Sequence, residues 1–240
     1  MTDPRIEVQP DAEALATAVA GELLTRLADA QASGHEPHVA LTGGTIAEAV
    51  HRELARRSPG TEVDWSRVVV WWGDERFVAP DSPDRNALAA RKAFLDAVGA
   101  TQVHEMPSTA DAADVGAGAT AYEETVRTQG SGEFEVVMLG VGPDGHVASL
   151  FPGHPQVDVR DRIAVAVTDS PKPPPERISL TFPSLNRARS VWLLVSGEAK
   201  AGAVAAALAT DGDVHETPAR GVTGHDETVW FLDREAASRL

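Results

Sequence analysis

The chain has 240 residues, with 21 Lys or Arg against 36 Asp or Glu, a formal charge of −15, 42% hydrophobic residues and no cysteine. That length suits one large α/β domain with a substantial core, and the lack of cysteine excludes disulfides, a thiolate nucleophile and thiolate-built metal sites. The negative balance excludes sequence-independent nucleic-acid binding, because a phosphate backbone would meet like charge.

Met1-Thr2-Asp3-Pro4 lacks the basic start of an export signal, and Asp11, Glu13 and Glu22 interrupt the apolar stretch behind it. No run of about 18 apolar residues occurs, so a membrane span is not expected and the cytoplasm is the expected compartment. Leu15, Val19, Leu23 and Leu27 recur four apart and predict an amphipathic helix from Asp11 to Ala32, closed by Gly34. His38 to Thr42 reads as a buried strand that runs through Gly43-Gly44-Thr45 into a helix ending near Arg57. Val68 to Trp72 is a second strand, followed by Gly73-Asp74-Glu75-Arg76. Ser82-Pro83-Asp84 reads as a helix start with Gly99 beyond its end, and Ala112 to Thr128 as an Ala-rich helix. Glu135 to Val141 is a strand that empties into Gly142-Pro143-Asp144-Gly145-His146.

In the second half, 163–167, 177–181, 191–196 and 229–232 read as strands, 198–209 as a helix and 233–240 as a short terminal one. Nearly continuous apolar strands separated by helices predict a mostly parallel sheet covered on both faces, within a single domain over 1–240. The Pro171–Pro175 run, bracketed by strands, reads as a rigid loop rather than a linker.

Three loops follow the carboxyl ends of predicted strands, the edge where open α/β sheets bind ligands. Thr42-Gly43-Gly44-Thr45 is either a tight strand–helix turn or an anion cradle of backbone N–H groups, a hydroxyl and a helix N-terminus. It is neither a Walker A loop nor a dinucleotide fingerprint. Gly73-Asp74-Glu75-Arg76 is either a solvated turn or a clamp in which Arg76 grips phosphate or carboxylate while Asp74 holds it or meets a sugar hydroxyl.

In the third loop, glycine density at a strand end beside Asp144 singles out His146, of eight histidines, as a general base. His35, His38, His51, His104, His215 and His225 are assigned ordinary core or surface roles, and His154 a loop role. A metal site of Asp144, His146 and His154 matches no standard ligand spacing. The three lysines divide in the same way: Lys92 reads as solvated, whereas Lys172 is held among prolines. Lys200 sits in a first helical turn, where an ammonium is unfavourable unless an anion shares the spot.

These segments resemble the 6-phosphogluconolactonase family, lactone hydrolases of the oxidative pentose phosphate pathway. The matching pieces are LTGGT, WWGDERFVAPDSPDRN, GVGPDGHVASLFPGHP, PKPPPERISLTFPSLNRAR, SGEAKAGAV and VWFLD, in family order from about residue 38 to the end. The resemblance implies a single-domain three-layer α/β/α sandwich of modified Rossmann-like type. That fold is shared with glucosamine-6-phosphate deaminases and ribose-5-phosphate isomerases. Deaminases also carry Asp-Gly-His, but continue into an Ala-Phe-Asn-Glu-Pro type stretch; here Val147-Ala148-Ser149-Leu150-Phe151-Pro152 supplies no carboxylate.

The implied reaction is hydrolysis of a phosphosugar lactone, with no metal or cofactor, no membrane and no obligate protein partner. His146 would activate water and Asp144 orient it or bind a sugar hydroxyl. Arg76, Arg177 or the Gly142–Gly145 amides would receive the oxyanion. Gly43, Gly44, Thr45 and Lys200 would hold the phosphate, with Arg76 and Lys172 as further contacts, and Asp74 and Asn86 complete the implied substrate set. Two sequence departures stand out: Thr-Gly-Gly-Thr replaces the usual Ser-Gly-Gly-Ser, and Arg85 replaces a serine and points either to the pocket or to solvent. Ser149 has no nucleophile elbow around it, so water attack is expected rather than a covalent route. The rival readings are an amino-sugar-phosphate deaminase and a non-catalytic sugar-phosphate sensor.

Overall fold

The structure, a computed structural model, describes residues 3–240. In chain order the main elements are β1 (Arg5–Gln9), α1 (Ala12–Ala32), β2 (His38–Leu41), α2 (Thr45–Arg57), β3 (Val69–Trp72) and β4 (Asp74–Arg76). Next come α3 (Asn86–Ala90), a π-helical turn (Arg91–Leu95), α4 (Asp96–Val98), β5 (Gln102–Val103), α5 (Val115–Gln129) and β6 (Phe134–Gly140). The rest comprises β7 (Ala164–Val167), β8 (Arg177–Leu180), α6 (Phe182–Leu185), β9 (Ala188–Val195), α7 (Ala201–Leu208) and β10 (Glu227–Asp233).

Seven strands form one parallel sheet in the order β1-β10-β9-β6-β2-β3-β5, and β4-β8-β7 form a separate antiparallel sheet. The parallel sheet and its covering helices bear out the expected α/β sandwich. The separate sheet corrects the reading of 163–167 and 177–181 as strands of the main one. Arg177 pairs with Arg76 and Val167 with Arg177, so these segments build against the Asp74–Arg76 strand. Arg5–Gln9, a polar–apolar alternation of only five residues, and two-residue Gln102–Val103 are edge strands too short to be expected from the sequence.

Local chemistry sets the helix ends. Asp11 caps α1 by accepting from Ala14 N–H at 2.8 Å, and the Leu15, Val19, Leu23, Leu27 stripe is fully buried. Truncating any one of these leucines to Ala should cost about 2–5 kcal/mol. Asp114 caps α5, so that helix starts at Val115 rather than Ala112. Ser82-Pro83-Asp84 does not open a helix: Arg85 N–H closes a turn on the Ser82 carbonyl, and α3 begins at Asn86. Residues 234–239 form turns, not a terminal helix: Asp233 accepts the Ala236 N–H as a cap would, but only single turns follow it.

The strand order brings the predicted loops together. From β2 the chain steps to β3 on one side, whereas β6 lies on the other, so the β2/β6 boundary is a topological switch point. The neighbouring strands β9, β6, β2 and β3 end in the segments carrying Lys200, His146, Gly43 and Arg76, in that spatial order. At about 4.8 Å between strands, the four ends span roughly 14 Å, the scale of a phosphosugar with its contacts.

Candidate active site

Gly142-Pro143-Asp144-Gly145-His146 folds back on itself after β6. The Gly142 N–H donates to the His146 carbonyl at 2.9 Å, and Gly145, at φ +82, donates to the Gly142 carbonyl. The fold requires glycine at 142, since a Cβ there would lie 2.0 Å from His146 Nδ1 and 2.3 Å from Asp144 Oδ1. His146 Nδ1 meets Asp144 Oδ1 at 2.5 Å, leaving Nε2 as the nitrogen with no partner among the described residues. The ring lies against Phe151, centroids 4.6 Å apart, and the side chain is mostly buried. Burial raises the Asp144 carboxyl, but the His146 hydrogen bond and the charges of His146 and Lys172 outweigh it and hold it at about 2.

Lys172 Nζ stands 4.0 Å from Asp144, and Arg177 fixes the proline loop that carries it. Arg177, buried, donates to the carbonyls of Lys172, Pro173 and Pro174, and its guanidinium sits 5.9 Å from the centre of the Phe151 ring. Lys200 donates to the Val141 carbonyl at the end of β6. Burial lowers its pKa, Lys172 lowers it further, and Asp144 partly opposes both. Arg177 is likewise lowered, by burial first and by neighbouring Arg76, with Asp74 pulling the other way. In a chain of charge −15, Lys172, Lys200 and Arg177 gather at this edge, which suits an anionic ligand.

Gly43 and Gly44 lead into α2, whose N-terminus has no side-chain cap; Gly44 has φ +96 and serves as the N-cap residue. Gly43, Gly44, Thr45 and Lys200 line one cavity of about 750 Å³, together with Val141 and Ser196. Arg76, Lys172 and His146 are not part of that lining. The Thr42 hydroxyl accepts from Gly140 N–H at 3.4 Å and joins the first loop to the end of β6.

The second loop differs most from expectation. Asp74 does not hold Arg76: it is buried, and its carboxylate accepts from the Ser149 hydroxyl at 2.7 Å. Asn86 holds Arg76, its Oδ1 accepting from the guanidinium while its Nδ2 donates to the Asp74 carbonyl at 3.1 Å. A Cβ on Gly43 would fall 1.8 Å from Asn86 Oδ1, so the amide fills the hollow that this glycine leaves. Arg76 Nε is buried with no partner among the described residues. Arg85 points neither to the pocket nor to solvent. It is buried, donates to the Met106 carbonyl and pairs with Glu105 at 3.6 Å.

The other histidines occupy the expected ordinary places. His38 accepts from the Trp71 indole, and buried His51, pushed down to about 4 by desolvation, packs on Phe94. His154 is 3.5 Å from Asp169, and no group of three or more His, Asp or Glu among the described residues is arranged to hold a metal ion. Ser149 is fully buried and hydrogen-bonded to Asp74, which agrees with its exclusion as a nucleophile. Sequence reasoning missed its tie to Asp74 and the bridging role of Asn86, since both act between segments remote in the chain. The turn at 213–219 backs the His146 loop, with Ala219 N–H donating to the Gly145 carbonyl.

Comparison with known proteins finds relatives of this chain by sequence and by fold. A family model described as glucosamine-6-phosphate isomerases/6-phosphogluconolactonase matches residues 10–230. A 6-phosphogluconolactonase of Streptomyces coelicolor is 45% identical over 248 residues, covering 99% of this chain and 95% of its own. One from Mycobacterium tuberculosis is 42% identical, with 98% of each chain covered. The crystal structure of 6-phosphogluconolactonase from Thermotoga maritima superposes with a TM-score of 0.84 at 25% identity, covering 96% of this chain and 99% of its own. A monomeric glucosamine-6-phosphate deaminase superposes as well, with a TM-score of 0.83 at 20% identity over 98% of this chain and 100% of its own, so the fold does not separate the two activities. With the family model spanning most of its length and close relatives aligned end to end, the chain belongs to the glucosamine-6-phosphate isomerase/6-phosphogluconolactonase family.

Proposed function

We infer that the protein hydrolyses 6-phospho-D-glucono-1,5-lactone to 6-phospho-D-gluconate, the second step of the oxidative pentose phosphate pathway. The observation that carries this reading is the His146–Asp144 pair at a cation-rich sheet edge, in a chain 45% identical from end to end to a 6-phosphogluconolactonase. Asp144 accepts a hydrogen bond from Nδ1–H, so Nε2 is the base that removes a proton from water as its oxygen attacks the lactone carbonyl. Collapse of the tetrahedral intermediate breaks the acyl–oxygen bond, and the imidazolium returns the proton to the departing ring oxygen. General base catalysis of this kind contributes about 10²–10⁴-fold.

Arg76 is the assigned oxyanion donor. Arg177 gives Nε and Nη2 to loop carbonyls, and the Gly142 and Gly145 amides serve the loop itself, whereas Asn86 engages only Nη1 of Arg76 and leaves its other N–H groups without a partner among the described residues. One well-placed donor is worth about 3 kcal/mol. The 6-phosphate is assigned to Gly43, Gly44, Thr45 and Lys200, where backbone N–H groups and an ammonium favour a dianion. Lys172 is placed as a further contact beside Asp144. Phosphate binding fixes the ring in an attack geometry, the use of remote binding energy that raises turnover.

No helix among the described residues is long and apolar enough to cross a membrane. The cytoplasm is the assigned compartment because a phosphorylated substrate does not pass an apolar bilayer unaided. The deciding assay is the rate of 6-phosphogluconate formation from freshly generated lactone, corrected for spontaneous opening. His146→Ala should bind 6-phosphogluconate and fail to hydrolyse the lactone. Ammonia release from glucosamine 6-phosphate at substantial turnover would instead establish a deaminase, and binding without acceleration a sensor.

A further inference from the structure

Glu75 is the most buried carboxylate of the Gly73–Arg76 segment, 1% exposed. Its side chain has no hydrogen-bonded cation among the described residues; instead it accepts three backbone N–H groups. Oε1 takes those of Arg76 and Asn86, each at 2.9 Å, and Oε2 takes that of Ala87 at 2.8 Å. The last two donors are the first N–H groups of α3, an end for which the N-cap residue Arg85 supplies no side-chain acceptor. A carboxylate from β4 thus caps a helix that begins eleven residues later.

What this cap holds is Asn86. With its backbone N–H pinned to Glu75, the Asn86 amide reaches in two directions, to the Arg76 guanidinium and to the Asp74 carbonyl. The same amide packs into the space over Gly43, where a single added methyl would collide with it. A group that never lines the pocket therefore sets the place of the arginine and one wall of the anion loop. Burial pushes the Glu75 carboxyl up, while the three N–H donors favour its ionised form.

We propose that Glu75 is a positioning residue of the active site, acting through Asn86 to hold Arg76 and the Gly43 loop in register. This rests on the reading that Arg76 contacts the substrate, and a double-mutant cycle separates the two. Glu75→Gln replaces one accepting oxygen with an amide that opposes an N–H donor. Loss of register of this size is expected to lower kcat/KM about 10- to 100-fold. In an Arg76→Ala background the same substitution should lower kcat/KM by no more than about threefold, the remainder that comes through the Gly43 loop.

Equal losses in both backgrounds would make Glu75 merely structural and overturn the proposal, as would an unchanged kcat/KM in Glu75→Gln. An Arg76→Ala variant with unaltered kinetics would sink the assignment of Arg76 itself. Should Glu75→Gln fail to accumulate as folded protein, Asn86→Ala decides. That variant breaks the relay without disturbing the carboxylate, and is expected to show the same loss of kcat/KM and the same non-additivity with Arg76→Ala. Wild-type kinetics in Asn86→Ala would overturn the proposal.

Discussion

Replacing Asp144 with Asn tests the base assignment where structure and chemistry meet. The substitution is nearly isosteric but removes the charge 2.5 Å from His146 Nδ1. The Asp144 carboxyl is held at about 2 against its ordinary 3.8, a difference worth roughly 2 kcal/mol at about 1.4 kcal/mol per pH unit. Its side chain is 35% exposed, and solvent screening reduces the expected contribution to stability to about 1 kcal/mol. Because the folded pKa is depressed, that contribution is present above the ordinary value and is lost as pH falls through about 2.

Asp144→Asn should therefore be less stable than wild type at neutral pH by about 1 kcal/mol, a Tm shift of a few degrees, and the gap should close in strong acid. Catalysis should suffer far more. An amide NH₂ facing Nδ1 favours the tautomer with the proton on Nε2, and no carboxylate remains to stabilise the imidazolium, so kcat is expected to fall about 10²- to 10⁴-fold. Stopped-flow hydrolysis of fresh lactone, with KM measured alongside, reads both parameters. A variant within threefold of wild-type kcat would refute the reasoning, and a loss confined to KM would move Asp144 to the sugar hydroxyls.

Gly142→Ala drives a methyl into the His146 ring and the Asp144 carboxylate, so it should reproduce the kcat loss while costing about 1–3 kcal/mol in chemical denaturation. Lys200→Ala removes the ammonium at the end of β9 and should raise KM about tenfold or more with a smaller change in kcat; an unchanged KM for the phosphorylated lactone would remove Lys200 from the phosphate site. Ser149→Ala strands the buried Asp74 carboxylate and is expected to cost about 1–3 kcal/mol by urea titration, a loss that Asp74→Asn in the same chain should partly relieve. Asp158, then Asp213, hold His215 above its ordinary value of 6.5. The tether of the 213–217 turn should therefore be complete below that pH and fade as pH rises through the raised value, read as faster amide exchange at Gly153, which donates to the His215 carbonyl.

The three loops were legible in the chain because each couples two local signals, an apolar strand and a glycine that only a turn or a close approach needs. Gly142 lies beside a histidine two residues after an aspartate, and the loop geometry that pairs them is local, so His146 and Asp144 could be read together. The parallel sheet was legible for the same reason, since buried strands such as Val69–Trp72 and Phe134–Gly140 are apolar on both faces. Edge strands were not: Arg5–Gln9 alternates over only five residues with Ile6 and Val8 as its sole apolar positions, and Asp74–Arg76 is a strand composed of charged residues.

Composition, periodicity and loop chemistry were enough for the fold class, and they singled out the sheet edge and the His146–Asp144 pair on which the proposed mechanism is built. They also limited the net charge to what it excludes, without describing the pocket. The division of labour among the remaining charged groups came from contacts between distant segments. Asp74 turns inward to Ser149, Arg177 ties down the proline loop, Arg85 is buried against Met106, and Asn86 grips Arg76. A charged side chain on a strand has no local partner that fixes its direction, so its role follows from which segment the fold packs against it, and that information is spread along the whole chain.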